Sequence, residues 1–176
     1  MELVLYPDPI LRRRAAPLPA VDDDVRERVR EMFEIMYHER GVGLAAPQVG
    51  WSVRLFILNP TGDPEQPEDE RVFINPGLLR VEGAIVDEEG CLSIPEVRGR
   101  VERSERVVVR ALGLDGLPFD AEFDGIGARG VQHEIDHLDG ILFVSRLGPT
   151  DRLRVGGQLK KLEREYKRRT MLRSGR

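Results

Sequence analysis

The chain has 176 residues, of which 40% are hydrophobic and 33% are charged, and its formal net charge at pH 7 is −4. This composition is that of an ordinary globular protein with one buried core, and the acidic balance argues against a protein that binds nucleic acid over its whole surface. One cysteine cannot form an internal disulfide, so the fold does not depend on an oxidising compartment. No segment resembles a secretory signal or a membrane span, so we expect a cytoplasmic protein without a membrane partner.

The first predicted element is a helix over residues 22–40. Aspartates suit its N-terminus, and Gly41 supplies a stop. The apolar positions at helical spacing are Val25, Val29, Met32, Phe33 and Met36. Two β-rich segments follow at 53–60 and 71–80, and the acidic, proline-bearing residues between them are predicted to form a loop.

Residues 106–125 are predicted to form a β-hairpin, because Asp115-Gly116 stands where a tight turn is needed. Helical periodicity returns from about residue 150, with a loose apolar stripe made by Leu153, Leu159, Leu162 and Tyr166, and continues into a basic tail. No repeat or linker divides the chain. The prediction is therefore one α+β domain over residues 1–176.

A third helix is predicted around "QHEIDHLDG", residues 132–140. One apolar stripe is predicted along it, made by Val131, Ile135, Leu138 and Leu142, with Gly140 ending the helix before the last member. His133 and His137 lie one turn apart on a different face, together with Ile126 and Gly130. A helix with two faces to cover is expected at the centre of the fold.

The spacing His133-Glu134-x-x-His137 is typical of a metal site. Imidazoles at positions i and i+4 can bind one ion, and the glutamate between them is free to handle the proton of a bound water. The alternative is two buried core histidines with a chance glutamate between them. Gly130, one turn before His133, is predicted to leave space beside the metal.

Two histidines are only half a metal site, and the sequence offers few candidates for the third ligand. Phe143 stands where one protease branch has a third histidine, which excludes that branch. Glu163 or Glu165 would serve in another branch, although both lie in a strongly charged segment. Cys91 is the remaining candidate, in a segment interpreted as a shaped loop. One thiolate and two imidazoles suit Zn²⁺ or Fe²⁺ and leave one position for water.

Three segments together resemble the signature motifs of the peptide deformylase family, in the family's order and approximate spacing. They are "GVGLAAPQVG" (41–50), "EEGCLSIPE" (88–96) and "QHEIDHLDG" (132–140). The resemblance implies an α+β fold in which antiparallel β-sheets pack around the central HExxH helix, with an N-terminal and a C-terminal helix. It also implies a cytoplasmic metal-dependent hydrolase that removes the formyl group from the N-terminal formyl-methionine of newly made proteins and releases formate.

The resemblance also implies a role for particular residues. The implied metal ligands are Cys91, His133 and His137. The implied catalytic groups are the Glu134 carboxylate as general acid and base, and the Gln48 side-chain amide and Leu92 N–H as donors to the formyl oxygen. Two glycines, Gly43 and Gly90, would lie along the substrate backbone. The methionine pocket would be formed by Val42, Ile126 and the space over Gly130.

The family's usual metal is Fe²⁺, with Zn²⁺, Ni²⁺ or Co²⁺ able to occupy the same site. The implied partners are N-formylmethionyl nascent peptides, and we expect a monomer. A basic block on the last helix, from Lys160 to Arg169, is interpreted either as a solvated face or as a contact with the ribosome. Asp136 is interpreted either as a surface carboxylate or as a partner of Arg98 or Arg103 that supports the metal site.

Two other classes of protein are alternatives to a peptide deformylase. A zincin-type endopeptidase would share the HExxH helix but would need Glu163 or Glu165 as a ligand. A non-enzymatic metal-binding module would need a closed site with four ligands, and the sequence offers no fourth ligand at a suitable spacing.

Overall fold

Two antiparallel β-sheets and three α-helices form the fold in the computed structural model, which describes residues 1–174. The helices are α1 (Asp23–His38), α2 (Gly125–Leu138) and α3 (Pro149–Ser174). The strands are β1 (Gly43–Ala45), β2 (Leu55–Leu58), β3 (Arg71–Glu82), β4 (Ile85–Cys91), β5 (Ile94–Arg103), β6 (Arg106–Leu112) and β7 (Pro118–Asp124). One sheet has the order β1-β2-β3-β6-β7, and the other is the hairpin β4-β5. The predicted α+β class is confirmed.

The first helix forms as its sequence predicts, although it ends at His38 and not at residue 40. The Asp22 side chain accepts a hydrogen bond from the Val25 N–H at 2.9 Å and so caps the N-terminus. All five predicted apolar positions are buried. Beyond the last turn, the Gly41 N–H donates to the Met36 carbonyl at 2.8 Å, which ends the helix where a stop was predicted.

The two β-rich segments and the hairpin are also confirmed, with changed boundaries. Strand β2 is shorter than the predicted 53–60, and β3 is longer than the predicted 71–80. The hairpin β6–β7 turns at Asp115-Gly116, where Gly116 has φ +77°. The predicted loop between β2 and β3 contains one short 3-10 helix, Pro67–Asp69.

Sequence reasoning missed the hairpin β4–β5, as well as the short strand β1. The segment around Cys91 was predicted as a loop, but Cys91 is the last residue of β4, and Gly90 pairs with Arg98 across the hairpin. The register shifts between Gly90 and Cys91. Four of the seven residues of β4 are exposed and three are consecutive carboxylates, so the strand lacks the apolar alternation by which a half-buried strand is recognised.

Helix α2 lies between the two sheets, as predicted for a helix with two buried faces. Its residues Ala128, Val131 and Leu138 share a core cluster with Phe56 and Phe73 of the five-stranded sheet. The helix ends at Leu138 and therefore before Leu142, as the position of Gly140 predicted, but Leu142 packs in a different cluster from the other stripe residues.

Gly130 has a packing role that differs from the predicted one. A Cβ atom at this position would lie 2.8 Å from Leu58 Cδ1, so glycine allows α2 to approach β2 closely. Gly130 also lines the cavity described below. The close approach to the sheet, and not only space beside a metal, therefore accounts for a helical glycine here.

Helix α3 packs against the body through one part of its length. Val155 is buried, and Leu159 and Leu162 pack against the same core cluster. Leu153, which was predicted to belong to this apolar stripe, is 85% exposed, so that part of the prediction is wrong. The Tyr166 hydroxyl lies 3.2 Å from Asp8 Oδ2 and holds the helix further along. The last two residues of the basic tail, Gly175 and Arg176, lie outside the described residues.

Within residues 1–174, no helix combines the length and the hydrophobicity that crossing a membrane requires. The single-domain organisation stays a prediction.

Gly140→Ala is expected to lower the free energy of unfolding by more than the control Gly116→Ala. Both residues have a positive φ, +72° and +77°, at which alanine costs about 1–2 kcal/mol. At Gly140 the added Cβ would also lie 2.5 Å from the Arg12 carbonyl oxygen, whereas nothing lies within 4 Å at Gly116. Urea denaturation at equal metal content measures both losses. Equal losses would contradict this steric explanation.

Candidate metal centre

Cys91, His133 and His137 meet at one point between the end of β4 and the middle of α2. Their candidate ligand atoms all lie within 4.8 Å of one another. His137 Nε2 lies 3.2 Å from Cys91 Sγ and 3.2 Å from His133 Nε2. Both histidines are buried. The helical spacing brings the two imidazoles together, and the hairpin adds the thiol.

The chemistry of these donors fits a divalent cation. Two buried ring nitrogens and a sulfur atom face one another, and a cation can accept an electron pair from each. His137 Nδ1 has no hydrogen-bond partner among residues 1–172, and the same holds for Glu134 Oε2. Glu163, the rival ligand, lies on α3 and accepts a hydrogen bond from the Tyr6 hydroxyl at 2.7 Å. Neither Glu163 nor Glu165 joins the cluster.

Glu89 orients one of the two imidazoles. Its Oε1 atom lies 2.6 Å from His133 Nδ1. Because a carboxylate can only accept, Nδ1 carries a proton, and Nε2 is the ring nitrogen that faces the cluster. Sequence reasoning did not assign this role to Glu89. The sequence signal for this role was the position of Glu89 two residues before Cys91. In a β-strand, residues two apart have side chains on the same side, but this segment was not predicted to be a strand.

A buried arginine connects Glu89 to Asp136. Arg103, with 3% of its side chain exposed, donates to Glu89 at 2.7 and 3.1 Å and to Asp136 at 2.5 Å. Asp136 is buried and also pairs with Arg146, which sequence reasoning missed. Of the two predicted partners of Asp136, Arg103 is confirmed, while Arg98 pairs with Glu88 instead. The surface interpretation of Asp136 is wrong.

Burial and charge set the protonation of the site. Burial raises the pKa of Glu134 to about 7, with Glu89 and Asp136 adding to the rise and His133 and Arg103 opposing it. Burial lowers the pKa of His137 well below its usual range, and the nearby cationic groups lower it further. Burial would raise the pKa of Glu89, but hydrogen bonds from His133 and Arg103 hold it well below its usual range. A neutral His137 suits a metal ligand.

Gln48 lies beside the thiol with its amide group in a fixed orientation. Its Oε1 atom accepts the Ala45 N–H at 2.8 Å. Its Nε2 atom lies 3.2 Å from Ser93 Oγ and 3.5 Å from Cys91 Sγ. Because the oxygen is held by backbone, the NH₂ group points towards the cluster and is available as a donor. Ser93, which is fully buried, was not identified from the sequence.

A cavity of about 640 Å³ opens onto the cluster. Among its lining residues are most of the predicted site residues, namely Val42, Gly43, Gln48, Gly90, Cys91, Leu92, Ile126, Gly130, His133 and Glu134. A Cβ atom on Gly43 would lie 2.6 Å from Glu134 Oε1, so glycine here makes room for the carboxylate as well as for a ligand. Gly43 lies on the edge strand β1, and Gly90 lies in the two-stranded hairpin.

Comparisons with known proteins identify the family of this chain. Residues 1–153 match the profile of the polypeptide deformylase family. The peptide deformylase of Acidobacterium capsulatum is 43% identical over 92% of this chain and 95% of its own length. The enzyme of Alkalilimnicola ehrlichii is 46% identical over 94% of this chain and 92% of its own.

Solved structures give the same result. A peptide deformylase from Plasmodium falciparum has a TM-score of 0.91 and 40% identity, covering 94% of this chain and 97% of its own. Arabidopsis thaliana peptide deformylase 1B has a TM-score of 0.92 and 37% identity, covering 97% of this chain and 94% of its own. The chain therefore belongs to the polypeptide deformylase family and is a metal-dependent hydrolase that removes the N-terminal formyl group from nascent proteins.

Proposed function

We propose that Cys91, His133 and His137 hold one divalent metal ion and that deformylation takes place in the cavity beside it. The convergence of these three donors next to Glu134 carries the proposal. When bound, the ion supplies Lewis acidity, which lowers the pKa of water towards about 7 and polarises a carbonyl group. The open cavity beside the three donors is the arrangement of a catalytic site rather than of a closed structural one.

Fe²⁺ is the ion that we propose for the working enzyme, with Zn²⁺, Ni²⁺ or Co²⁺ able to replace it. A thiolate with two imidazoles suits both Fe²⁺ and Zn²⁺, because sulfur and nitrogen donors bind both ions well. The family resemblance of the three motifs favours iron. Ferrous iron oxidises in air, so an iron enzyme is expected to lose activity there while a zinc form stays stable and slower.

Glu134 is the proposed carrier of the proton. It accepts a proton from the attacking water as the new C–O bond forms at the formyl carbon, and it donates that proton to the amine as the C–N bond breaks. Formate and a free N-terminal methionine result. The buried Glu134 carboxylate has one oxygen without a hydrogen-bond partner among residues 1–172. Its pKa, raised to about 7, suits both accepting and donating a proton.

Gln48 and the backbone N–H of Leu92 are the proposed donors to the formyl oxygen. The oxygen gains negative charge as water attacks, and donors that are already oriented stabilise that charge. The Gln48 amide meets this condition because the Ala45 N–H holds its Oε1 atom at 2.8 Å. Loss of one such donor typically reduces the rate by about 100- to 1000-fold.

The rest of the cavity is proposed to hold the start of a nascent peptide. An extended backbone would run along Gly43 and Gly90, which offer no side chain to obstruct it. The methionine side chain would contact Val42, Ile126 and the surface over Gly130. Ile126 is 59% exposed, so substrate binding would cover it. We further propose that the enzyme works in the cytoplasm, where nascent chains emerge from ribosomes, and that it is a monomer.

Metal analysis of protein purified without oxygen is expected to find about one iron ion per chain. Cys91→Ser replaces a charged sulfur ligand by a neutral hydroxyl, so it is expected to lose both the metal and the hydrolysis of formyl-Met peptides. Glu163→Ala is the control, because Glu163 is hydrogen-bonded to the Tyr6 hydroxyl and lies outside the cluster of Cys91 and the two histidines. Metal lost from Glu163→Ala but kept by Cys91→Ser would support an endopeptidase instead.

Glu134→Gln is expected to reduce kcat by roughly 100-fold or more while the metal content stays near normal, because an amide cannot accept the proton. Glu88→Gln is the matched control, since Glu88 also lines the cavity but pairs with Arg98. Steady-state kinetics on a formyl-Met peptide and metal analysis of the same samples measure the two effects. Turnover near that of the wild type in Glu134→Gln would rule out Glu134 as the base.

We also propose that the basic face of α3 contacts ribosomal RNA near emerging chains. The six basic residues of this face, all exposed, are Lys160, Lys161, Arg164, Lys167, Arg168 and Arg169. Only a distant ion pair, Lys161 with Glu96 at 3.9 Å, is found for them among residues 1–172. Positive charge concentrated at the end of an acidic chain is suited to a polyanion and would raise the local concentration of substrate.

Deletion of residues 167–176 is expected to weaken co-sedimentation with ribosomes, most visibly at low salt, because fewer phosphates are neutralised. The deletion keeps the hydrogen bond between Tyr166 and Asp8, which anchors the helix. Hydrolysis of a short formyl-Met peptide is expected to change little. Unchanged co-sedimentation at low salt would leave the basic face as solvated surface.

A further inference from the structure

Arg40 occupies a backbone position that normally takes glycine. It follows α1 with φ +58°, in the left-handed region. The Arg40 N–H donates to the Tyr37 carbonyl at 3.0 Å and the Gly41 N–H donates to the Met36 carbonyl at 2.8 Å, the paired bonds of a Schellman motif. Glycine adopts this conformation without the steric cost that an arginine incurs there. Backbone geometry therefore does not account for the arginine.

Arg40 also lies on the rim of the substrate cavity, where it is the exception among charged side chains. The other charged rim residues each have a partner: Glu39 is hydrogen-bonded to His38, and Glu88, Glu96 and Arg129 pair with Arg98, Lys161 and Glu89. The exposed Arg40 guanidinium has no ion pair or hydrogen bond among the described residues. A free cation therefore faces the mouth of the cavity.

Arg40 lies close to the point where a bound peptide would leave the cavity. Gly43 lies against the Glu134 carboxylate, because a Cβ atom added to this glycine would be 2.6 Å from Glu134 Oε1. Arg40 precedes Gly43 by three residues, so the two Cα atoms are at most about 11 Å apart. If the formyl group and methionine occupy the inner cavity, the next one or two side chains of the peptide pass the rim.

We propose that Arg40 determines specificity by favouring acidic side chains at the second and third residues of the nascent peptide. This inference rests on the proposed placement of the peptide along Gly43. An ion pair at an exposed rim is weak, and the expected preference for Glu over Lys at these positions is about two- to fivefold in kcat/KM. Added salt is expected to reduce the preference, because exposed charges are screened.

A structural role for the same charge predicts a different outcome. A cation just beyond a helix C-terminus interacts favourably with the helix dipole and stabilises α1. In that case, substitution of Arg40 would change the unfolding midpoint without changing the choice between substrates. Arg40→Gly separates the two roles, because glycine relieves the backbone conformation while removing the charge.

The test compares kcat/KM for formyl-Met tripeptides with Glu, Gln or Lys at the second position, and then at the third, using the metal-loaded enzyme at low salt. Wild type is expected to prefer Glu. Arg40→Gln and Arg40→Gly are expected to lose the preference, and Arg40→Glu is expected to reverse it. Arg30→Gln, an exposed arginine on α1 that pairs with Glu27 outside the cavity, is the control and should keep the wild-type ratio.

A Glu-to-Lys ratio that is the same in wild type, Arg40→Gln and Arg40→Gly would overturn the inference and leave Arg40 as a helix-terminal cation. Hydrolysis of the neutral Gln peptides by wild type would show that the proposed function survives this result. If wild type hydrolysed none of the peptides, both proposals would fall. Retained folding of Arg40→Gly, checked by its thermal midpoint, keeps the comparison valid.

Discussion

The geometry of the candidate metal centre depends on the buried guanidinium of Arg103. It contacts Glu89 in β4 and Asp136 in α2, and only 3% of its side chain is exposed. Charges buried away from water are costly unless each is paired, so the hairpin and the helix are held where both carboxylates meet the arginine. Cys91 follows Glu89 by two residues, and Asp136 adjoins His137. The same ion pairs therefore set the distance between the thiol and the imidazoles.

Helix α2 is held by a different kind of interaction on each face. Towards the five-stranded sheet it packs apolar residues, including Ala128 and Val131, and Gly130 lets it approach Leu58. Towards the hairpin it presents histidines and carboxylates in a polar network. Apolar packing tolerates small shifts, whereas the 2.6 Å hydrogen bond between His133 and Glu89 does not. The rigid sheet thus supports the helix, and the directional network fixes the ligands.

Sequence reasoning could predict the parts of this site that are local in the chain. The HExxH spacing places His133, Glu134 and His137 by helix geometry alone, and the apolar pattern identifies α1 and the β6–β7 hairpin. It missed β4, because that strand carries three consecutive carboxylates and shows no apolar alternation. Leu153 was wrongly placed in an apolar stripe because periodicity does not tell how much of a helix has a neighbour to pack against.

What the sequence by itself determined is the family, the α+β class and the metal-site motif, because these depend on residue types at fixed spacing. Only the tertiary structure decided that Cys91, and not Glu163, joins the histidines, and that Arg103, and not Arg98, pairs with Asp136. It also revealed Glu89 and Ser93 as neighbours of the ligands. These contacts join residues up to 46 positions apart, such as Cys91 and His137. No local pattern encodes them, because such distances are set by how the hairpin, the helix and the sheet pack together.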